Sequence, residues 1–367
     1  MTGSGRGRRG GADRSRLRRR AFLGVAGAAL AGATAGCGML EQQSVGTPAV
    51  LADRPDRVYV PSHVEGMEMA GMAKTGRYRF ALSYSYPHRF WNVDGDRTEK
   101  VAVQDGDGVH LMLTAWDAET GRVLPASNQR VTVSQGGETV VDRSLWRMIS
   151  QNMGVHFGDN VPLAGEGTYD VTVAFGPVGE TLTGALAGAL GERVTASLSF
   201  EFSQATLQSI SIEDLGYRSG RNGAVEPMQM EMMPVAGTPA AADLPGDHLG
   251  TVESGDVVLV ATALSRPPAG VEGTGPYLAV SPRTRYNGYP LPGMSLSATV
   301  PGAEGPVFDD YLGAALGSDL GYHYGTVLEG LQDAGEVTLS PGLTPQLARH
   351  EGYETAFFGL PARTISL

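Results

Sequence analysis

The sequence predicts an all-β protein: two related antiparallel β-sandwiches in tandem, behind an export segment. Three observations predict it. Apolar and polar residues alternate with period 2 in run after run, the pattern of strands with one buried face. Glycine (52) and proline (22) are abundant in the 367 residues, which suits many short turns. A histidine motif also occurs twice, as Gly154-Val155-His156-Phe157-Gly158 leading to Val161 and as Gly321-Tyr322-His323-Tyr324-Gly325 leading to Val327. The chain has only seven histidines, so a shared context for two of them reads as a duplication. It makes His156 the first candidate for a metal or ligand site.

The first element is an address. Arg18-Arg19-Arg20-Ala21-Phe22-Leu23 contains the R-R-x-F-L core of a twin-arginine signal. The Ala/Gly-rich residues 23–36 are too weakly apolar for a stable membrane span, which needs about 20 strongly apolar residues. Cys37, the only cysteine, follows Thr34-Ala35-Gly36, which resembles a lipobox with Thr34 in place of the usual leucine. Residues 1–36 therefore read as a signal peptide, Cys37 as the site of a lipid anchor, and residues 37–55 as a polar linker. With no second cysteine, intrachain disulfides and Cys-based zinc sites are excluded.

Charge adds to this. The formal net charge is −11, and residues 1–36 hold eight arginines against one aspartate, so the remainder is more acidic still. Lysine occurs only at Lys74 and Lys100. An acidic, lysine-poor surface behind a twin-arginine lipoprotein signal resembles a haloarchaeal protein. Such a field repels nucleic acid and attracts cations.

In residues 56–205, strands are expected at 78–84, 110–116, 130–134, 168–175 and 194–202, with short helices at 143–149 and 180–190. In residues 206–367, strands are expected at 257–264, 295–300 and 336–339. Met67-Glu68-Met69 and Met230-Glu231-Met232 echo one another near the two openings.

His63-Val64-Glu65 can present an imidazole and a carboxylate on one face of a strand. Met67, Met69 and Met72 follow, and Met148, Met153 and His156 come later. Imidazole suits Zn, Cu, Fe and Ni, thioether favours Cu(I), and carboxylate tolerates Fe(II) or Mn(II). His88, between Pro87 and the aromatics Phe90 and Trp91, reads as a loop or rim residue and a ligand candidate. His110 opens an alternating strand and reads as a packed residue. Met228, Met230, Met232 and Met233 form a denser thioether cluster, and like the other methionines they can also be read as core filler. No phosphate loop, G-x-S-x-G or H-E-x-x-H occurs, so binding is expected rather than catalysis.

Residues 148–173, with Met148 before Gly154-x-His156-Phe157-Gly158-x-Asn160-Val161 and then Gly165-x-Gly167-x-Tyr169-x-Val171-x-Val173, resemble the bacterial periplasmic iron-transport-associated protein family. The resemblance spans roughly residues 56–176 and includes the upstream H-x-E. It implies an immunoglobulin-like β-sandwich, often a homodimer, that binds copper and iron-like cations beside a membrane ferrous-iron permease. The ligands it implies are His63, Glu65, Met148 and His156. The Met-to-His spacing is one residue longer than the family's, which makes Met153 an alternative to Met148. The family's final histidine has no counterpart before His248, which leaves His88 or His110 to fill that place. In the second unit, Ala315 stands where Met148 would be, and His248 and His350 lie at no repeat-equivalent position. That unit reads as a degenerate site.

The expectation is a lipid-anchored extracytoplasmic protein that binds a divalent metal, iron or possibly copper, and assists its uptake by a permease. The alternatives are a non-metal cell-surface scaffold and a copper-handling envelope protein. On this reading Cys37→Ala releases the protein from membranes in a fractionation assay; unchanged retention removes the anchor.

Overall fold

The computed structural model describes residues 48–125 and 127–367 and is almost entirely β, with several antiparallel sheets. The expected signal, Cys37 and the linker as far as residue 47 lie outside the described residues. No helix among the described residues is long and apolar enough to cross a membrane.

The largest sheet has eight strands, in the order Glu68–Thr75, Tyr78–Ser85, Val109–Asp117, Gly154–Val161, Trp146–Ser150, Ala348–Arg349, Phe90–Asp94 and Arg97–Val101. A four-stranded sheet, Val194–Phe202, Gly167–Phe175, Gln129–Gln135 and Glu138–Arg143, packs on it. The Phe175 ring meets Tyr78, Phe80 and Phe157 edge-on at 5.4–5.9 Å, and Tyr84 meets Phe200 and Phe202. Strand Gly167–Phe175 behaves as its alternation requires: Tyr169, Val171, Val173 and Phe175 are buried while Thr168, Asp170 and Thr172 face water.

The central strands differ. Val109–Asp117 and Gly154–Val161 are buried at every residue. Leu111, Leu113, Val155 and Phe157 join the main core. The opposite face therefore carries His110, Met112, His156, Gly158 and Asn160, buried in turn beneath chain from elsewhere.

The second half supplies all but the first strand of a six-stranded sheet ordered Thr181–Thr183, Gly313–Gly317, Gly321–Val327, Tyr277–Thr284, Val257–Leu264 and Asp247–Ser254. Its four-stranded companion is Gly305–Tyr311, Leu296–Gly302, Glu336–Pro341 and Arg363–Ser366. Gly250 lies against Ile365, where a Cβ would come within 2.7 Å of that side chain. A two-stranded ribbon pairs His63–Glu65 with Ile212–Asp214. The α-helix Gln204–Ser209 is six residues long, capped by Ser203 Oγ accepting from the Thr206 N–H at 3.0 Å.

The halves exchange strands. Thr181–Thr183, from the first half, pairs in parallel with Gly313–Gly317 of the second. Ala348–Arg349, from the second half, lies between Trp146–Ser150 and Phe90–Asp94 of the first. Arg349 is fully buried. It donates to the Ala356 carbonyl, to Thr344 Oγ1 at 3.0 Å and to the Pro345 carbonyl at 3.2 Å, with its guanidinium 4.4 Å from the Phe358 ring centroid.

Both expected helices are corrected. Residues 146–150 form a strand, because Trp146–Ser150 is hydrogen-bonded on both edges and that ladder outweighs local propensity. Residues 180–190 give the strand Thr181–Thr183 and a single 3-10 turn, Gly184–Leu186; Gly184 at φ +64° ends any regular run.

The main hydrophobic core runs without a break through residues of both halves. Leu113→Ala is therefore expected to cost about 2–5 kcal/mol and to lower one calorimetric transition shared by both halves. Two transitions, only one of them shifted, would contradict a common core.

Candidate metal centre

Register brings the site together. On adjacent strands Asn160 lies opposite His110, Gly158 opposite Met112, and His156 opposite Met148. Ala348 sits beside Met148, and the next N–H along, that of His350, donates to the Ile149 carbonyl at 3.1 Å. Asn160 also grips the backbone of His88, accepting from its N–H at 3.3 Å and donating to its carbonyl at 2.9 Å. Four imidazoles converge as a result. Ring centroids are 4.0 Å apart for His88–His110, 4.9 Å for His88–His350, 5.5 Å for His110–His350 and 5.3 Å for His156–His350. One ring nitrogen from each of His88, His110 and His350 lies within 4.8 Å of the others.

Hydrogen bonds decide which nitrogen faces inward. His110 Nδ1 is 2.9 Å from Asn160 Oδ1, and His156 Nδ1 is 3.0 Å from the Gly154 carbonyl. His88 Nδ1 faces the Tyr86 carbonyl at 3.1 Å and Glu65 Oε2 at 3.2 Å. In a neutral ring the nitrogen that meets an acceptor carries the proton, so Nε2 keeps its lone pair. The Nε2 atoms of His88, His110, His156 and His350 are all buried without a partner. Burial holds His156 down to about 4 and His110 and His350 well below the usual imidazole range, with the nearby His88 adding to the effect. These three rings are neutral near pH 7.

Thioether sulfur joins them. A Cβ on Gly158 would lie 2.7 Å from Met148 Sδ and 2.8 Å from His110 Nε2. The missing side chain is what lets the sulfur and the imidazole close on one point. Met148 is fully buried and packs with Phe90 and Ala348.

Glu65 stands behind the imidazoles. Its Oε1 is 3.0 Å from His63 Nε2 and its Oε2 is 3.2 Å from His88 Nδ1. Burial pushes the carboxyl upward, but His88 and His63 outweigh it and hold the group below the ordinary carboxylate range. Ser62 Oγ lies 2.8 Å from His63 Nδ1 yet donates to Glu351 Oε2 at 2.9 Å, and Arg89 reaches the same oxygen at 2.8 Å. Ser62 is thus committed to an acceptor and is not an activated nucleophile. A cavity of about 80 Å³ leads inward past His63, Glu65, Met67, Met153, His88 and His350.

Of the residues expected from sequence, His88, His156 and Met148 meet at the centre, Glu65 is one hydrogen bond behind His88, and His63 lies behind Glu65. Met153 lines the cavity wall. From sequence, His110 reads as a packed residue or as a stand-in for the family's final histidine, and His350 lies at no repeat-equivalent position. The first is on the face shared with His156, which period-2 register could have revealed. The second arrives through strand exchange, which leaves no local signal.

The second histidine motif repeats the geometry with one change. His323 Nδ1 again meets a carbonyl, that of Gly321, at 3.0 Å, but its Nε2 lies 3.1 Å from Tyr277 Oη. Tyr277 stands opposite Val327 as His110 stands opposite Asn160, Gly325 closes on Tyr277 as Gly158 does on His110, and Ala315 faces His323. The tyrosine hydroxyl fills the position that stays open in the first half.

A family model described as a domain of unknown function (DUF7350) matches residues 242–366, a stretch that contains His323 and His350. No curated protein matches the chain. Among solved structures, a copper-bound glutamate-to-glutamine variant of FetP from uropathogenic Escherichia coli is similar at 19% identity, covering 37% of this chain and 92% of that one with a TM-score of 0.29. FetP from the same bacterium, as isolated, is similar at 17% identity over 38% of this chain and 95% of its own, with a TM-score of 0.28. A copper-bound glutamate-to-glutamine variant of Campylobacter jejuni P19 gives 15% identity, 38% and 98% coverage, and a TM-score of 0.30.

Gly158→Ala tests the centre without touching a ligand. The added methyl must separate Met148 from His110, so metal affinity is expected to fall at least roughly tenfold, as it does when supporting groups of a metal site are altered, while circular dichroism stays unchanged. Undiminished affinity would remove Met148 and His110 from the ligand set.

Proposed function

We propose that this chain is an extracytoplasmic binding protein, held at a membrane through Cys37, that captures copper or iron and passes it to a membrane permease. One observation carries the metal reading: His88, His110 and His350 each bring a ring nitrogen within 4.8 Å of the others, and their Nε2 atoms, like that of neighbouring His156, are buried without a partner. A single unpaired buried polar atom costs about 1–3 kcal/mol, so folded proteins rarely keep one without a use. An ion held by the three clustered imidazoles, with His156 beside them, accounts for these nitrogens together.

The donor set also ranks the ions. Imidazoles with a thioether favour copper over ferrous iron, and the one nearby carboxylate, Glu65, is engaged by His63 and His88. Iron is then the weaker cargo, helped if Glu65 turns inward. His350 supplies from the same chain the histidine that the first half lacks, so the site needs no second copy. Capture and release involve no bond chemistry, and a lipid on Cys37 raises the local concentration at a membrane partner.

The test is a calorimetric titration of the purified protein with Cu(II), Mn(II) and Fe(II). Copper is expected to bind most tightly, and the paired change His110→Ala with His350→Ala to weaken it about 100-fold or more. His63→Ala, which acts only through Glu65, is expected to cost about 10-fold. If the wild type binds nothing tighter than the paired variant does, the metal function falls.

A further inference from the structure

Four of the chain's 13 methionines fall within six residues, Met228-Gln229-Met230-Glu231-Met232-Met233. None of the four belongs to a hydrophobic core cluster; Met228, Met230 and Met233 are half-buried and Met232 is 57% exposed, so they lie outside the packed core. Their position does. The Met228 N–H donates to the Asn152 carbonyl at 2.8 Å, and Asn152 Nδ2 reaches the Glu65 carbonyl at 3.4 Å. Just upstream, the Val225 N–H donates to Gln151 Oε1 at 2.9 Å. Asn152, Gln151 and Val225 all line the cavity that leads to the imidazoles, so the methionine segment is tied to that cavity's rim.

Local backbone geometry brings two of the four side chains to the same place. Met230 and Met233 face one another across an isolated antiparallel bridge, with the Met233 N–H bonded to the Met230 carbonyl at 3.4 Å. Directly opposed residues place their Cβ atoms about 5 Å apart, and flexible thioethers can converge from there. Met67, Met112 and Met153 line the same cavity as His350 and add further soft donors there.

We propose that Met228, Met230 and Met233, with Met232 beside them, form a thioether site for monovalent copper at the mouth of this cavity. Neutral sulfur donors select Cu(I) over Fe(II), Zn(II) and Cu(II). Three half-buried thioethers beside the cavity rim would hold the ion loosely enough to release it past Met153 to the imidazoles. No electron moves in this transfer. The loading role rests on the metal centre proposed above; the thioether site itself does not.

The test uses the full chain under anaerobic conditions, titrated with Cu(I) against a chromophoric chelator and with Ag(I) as a redox-inert probe. The comparison variant carries Met228→Leu, Met230→Leu, Met232→Leu and Met233→Leu, which keep volume and apolarity while removing sulfur. This variant is expected to lose one equivalent of Cu(I) and of Ag(I), and to load its remaining site at least tenfold more slowly. The paired His110→Ala and His350→Ala variant should keep the surface equivalent. If that variant binds as much as the wild type while the leucine variant still loses one equivalent, the imidazole centre fails and the thioether site stands. A leucine variant with wild-type stoichiometry for both ions overturns the proposal.

Discussion

Hydrogen bonding of the two-residue strand Ala348–Arg349 between Trp146–Ser150 and Phe90–Asp94 joins the architecture and the chemistry of this protein. Without it those two strands would present unpaired edges inside the largest sheet. The strand is held by Arg349, whose guanidinium is taken out of water. Burial lowers its pKa to about 9, a measure of the desolvation that the carbonyls of residues 345 and 356 and the two phenylalanine rings offset. The next residue is His350. Its imidazole reaches the other three because the backbone before it is fixed in the ladder.

A division of labour within each imidazole follows. Nδ1 of His88, His110 and His156 is spent on an oxygen of the protein, which fixes ring orientation and tautomer. Nε2 is left free. The second half shows the alternative outcome on the same scaffold, where Tyr277 reaches the equivalent nitrogen of His323 and completes its hydrogen bonding. At this register position the residue, His110 or Tyr277, decides whether the neighbouring imidazole nitrogen is left without a partner or hydrogen-bonded.

The β character and the strands with strict alternation were legible in the sequence, because alternation over residues such as 168–175 reports one buried face directly. Misreadings arose where long-range pairing overrode local pattern. Residues 146–150 look amphipathic in isolation and become a strand through neighbours on both edges. The histidine motif pointed to His156, and its register with Met148 agrees with pairing across a hairpin. His110 looked like packing because it is packing as well, buried on a strand with no exposed residue. His350 was illegible: its place depends on a crossing between halves that no nearby residue encodes.

Because the exchange is reciprocal, the boundaries along this chain are not boundaries in space. A fragment ending near residue 205 would leave behind Ala348–Arg349 and His350, and with Ile212–Asp214 the pairing partner of His63–Glu65. A fragment starting there would lack Thr181–Thr183, the edge of its own largest sheet. The crossed strands make the two halves of the sequence depend on each other for complete sheets. A change that displaces either crossing strand therefore unpairs a strand edge in the other half.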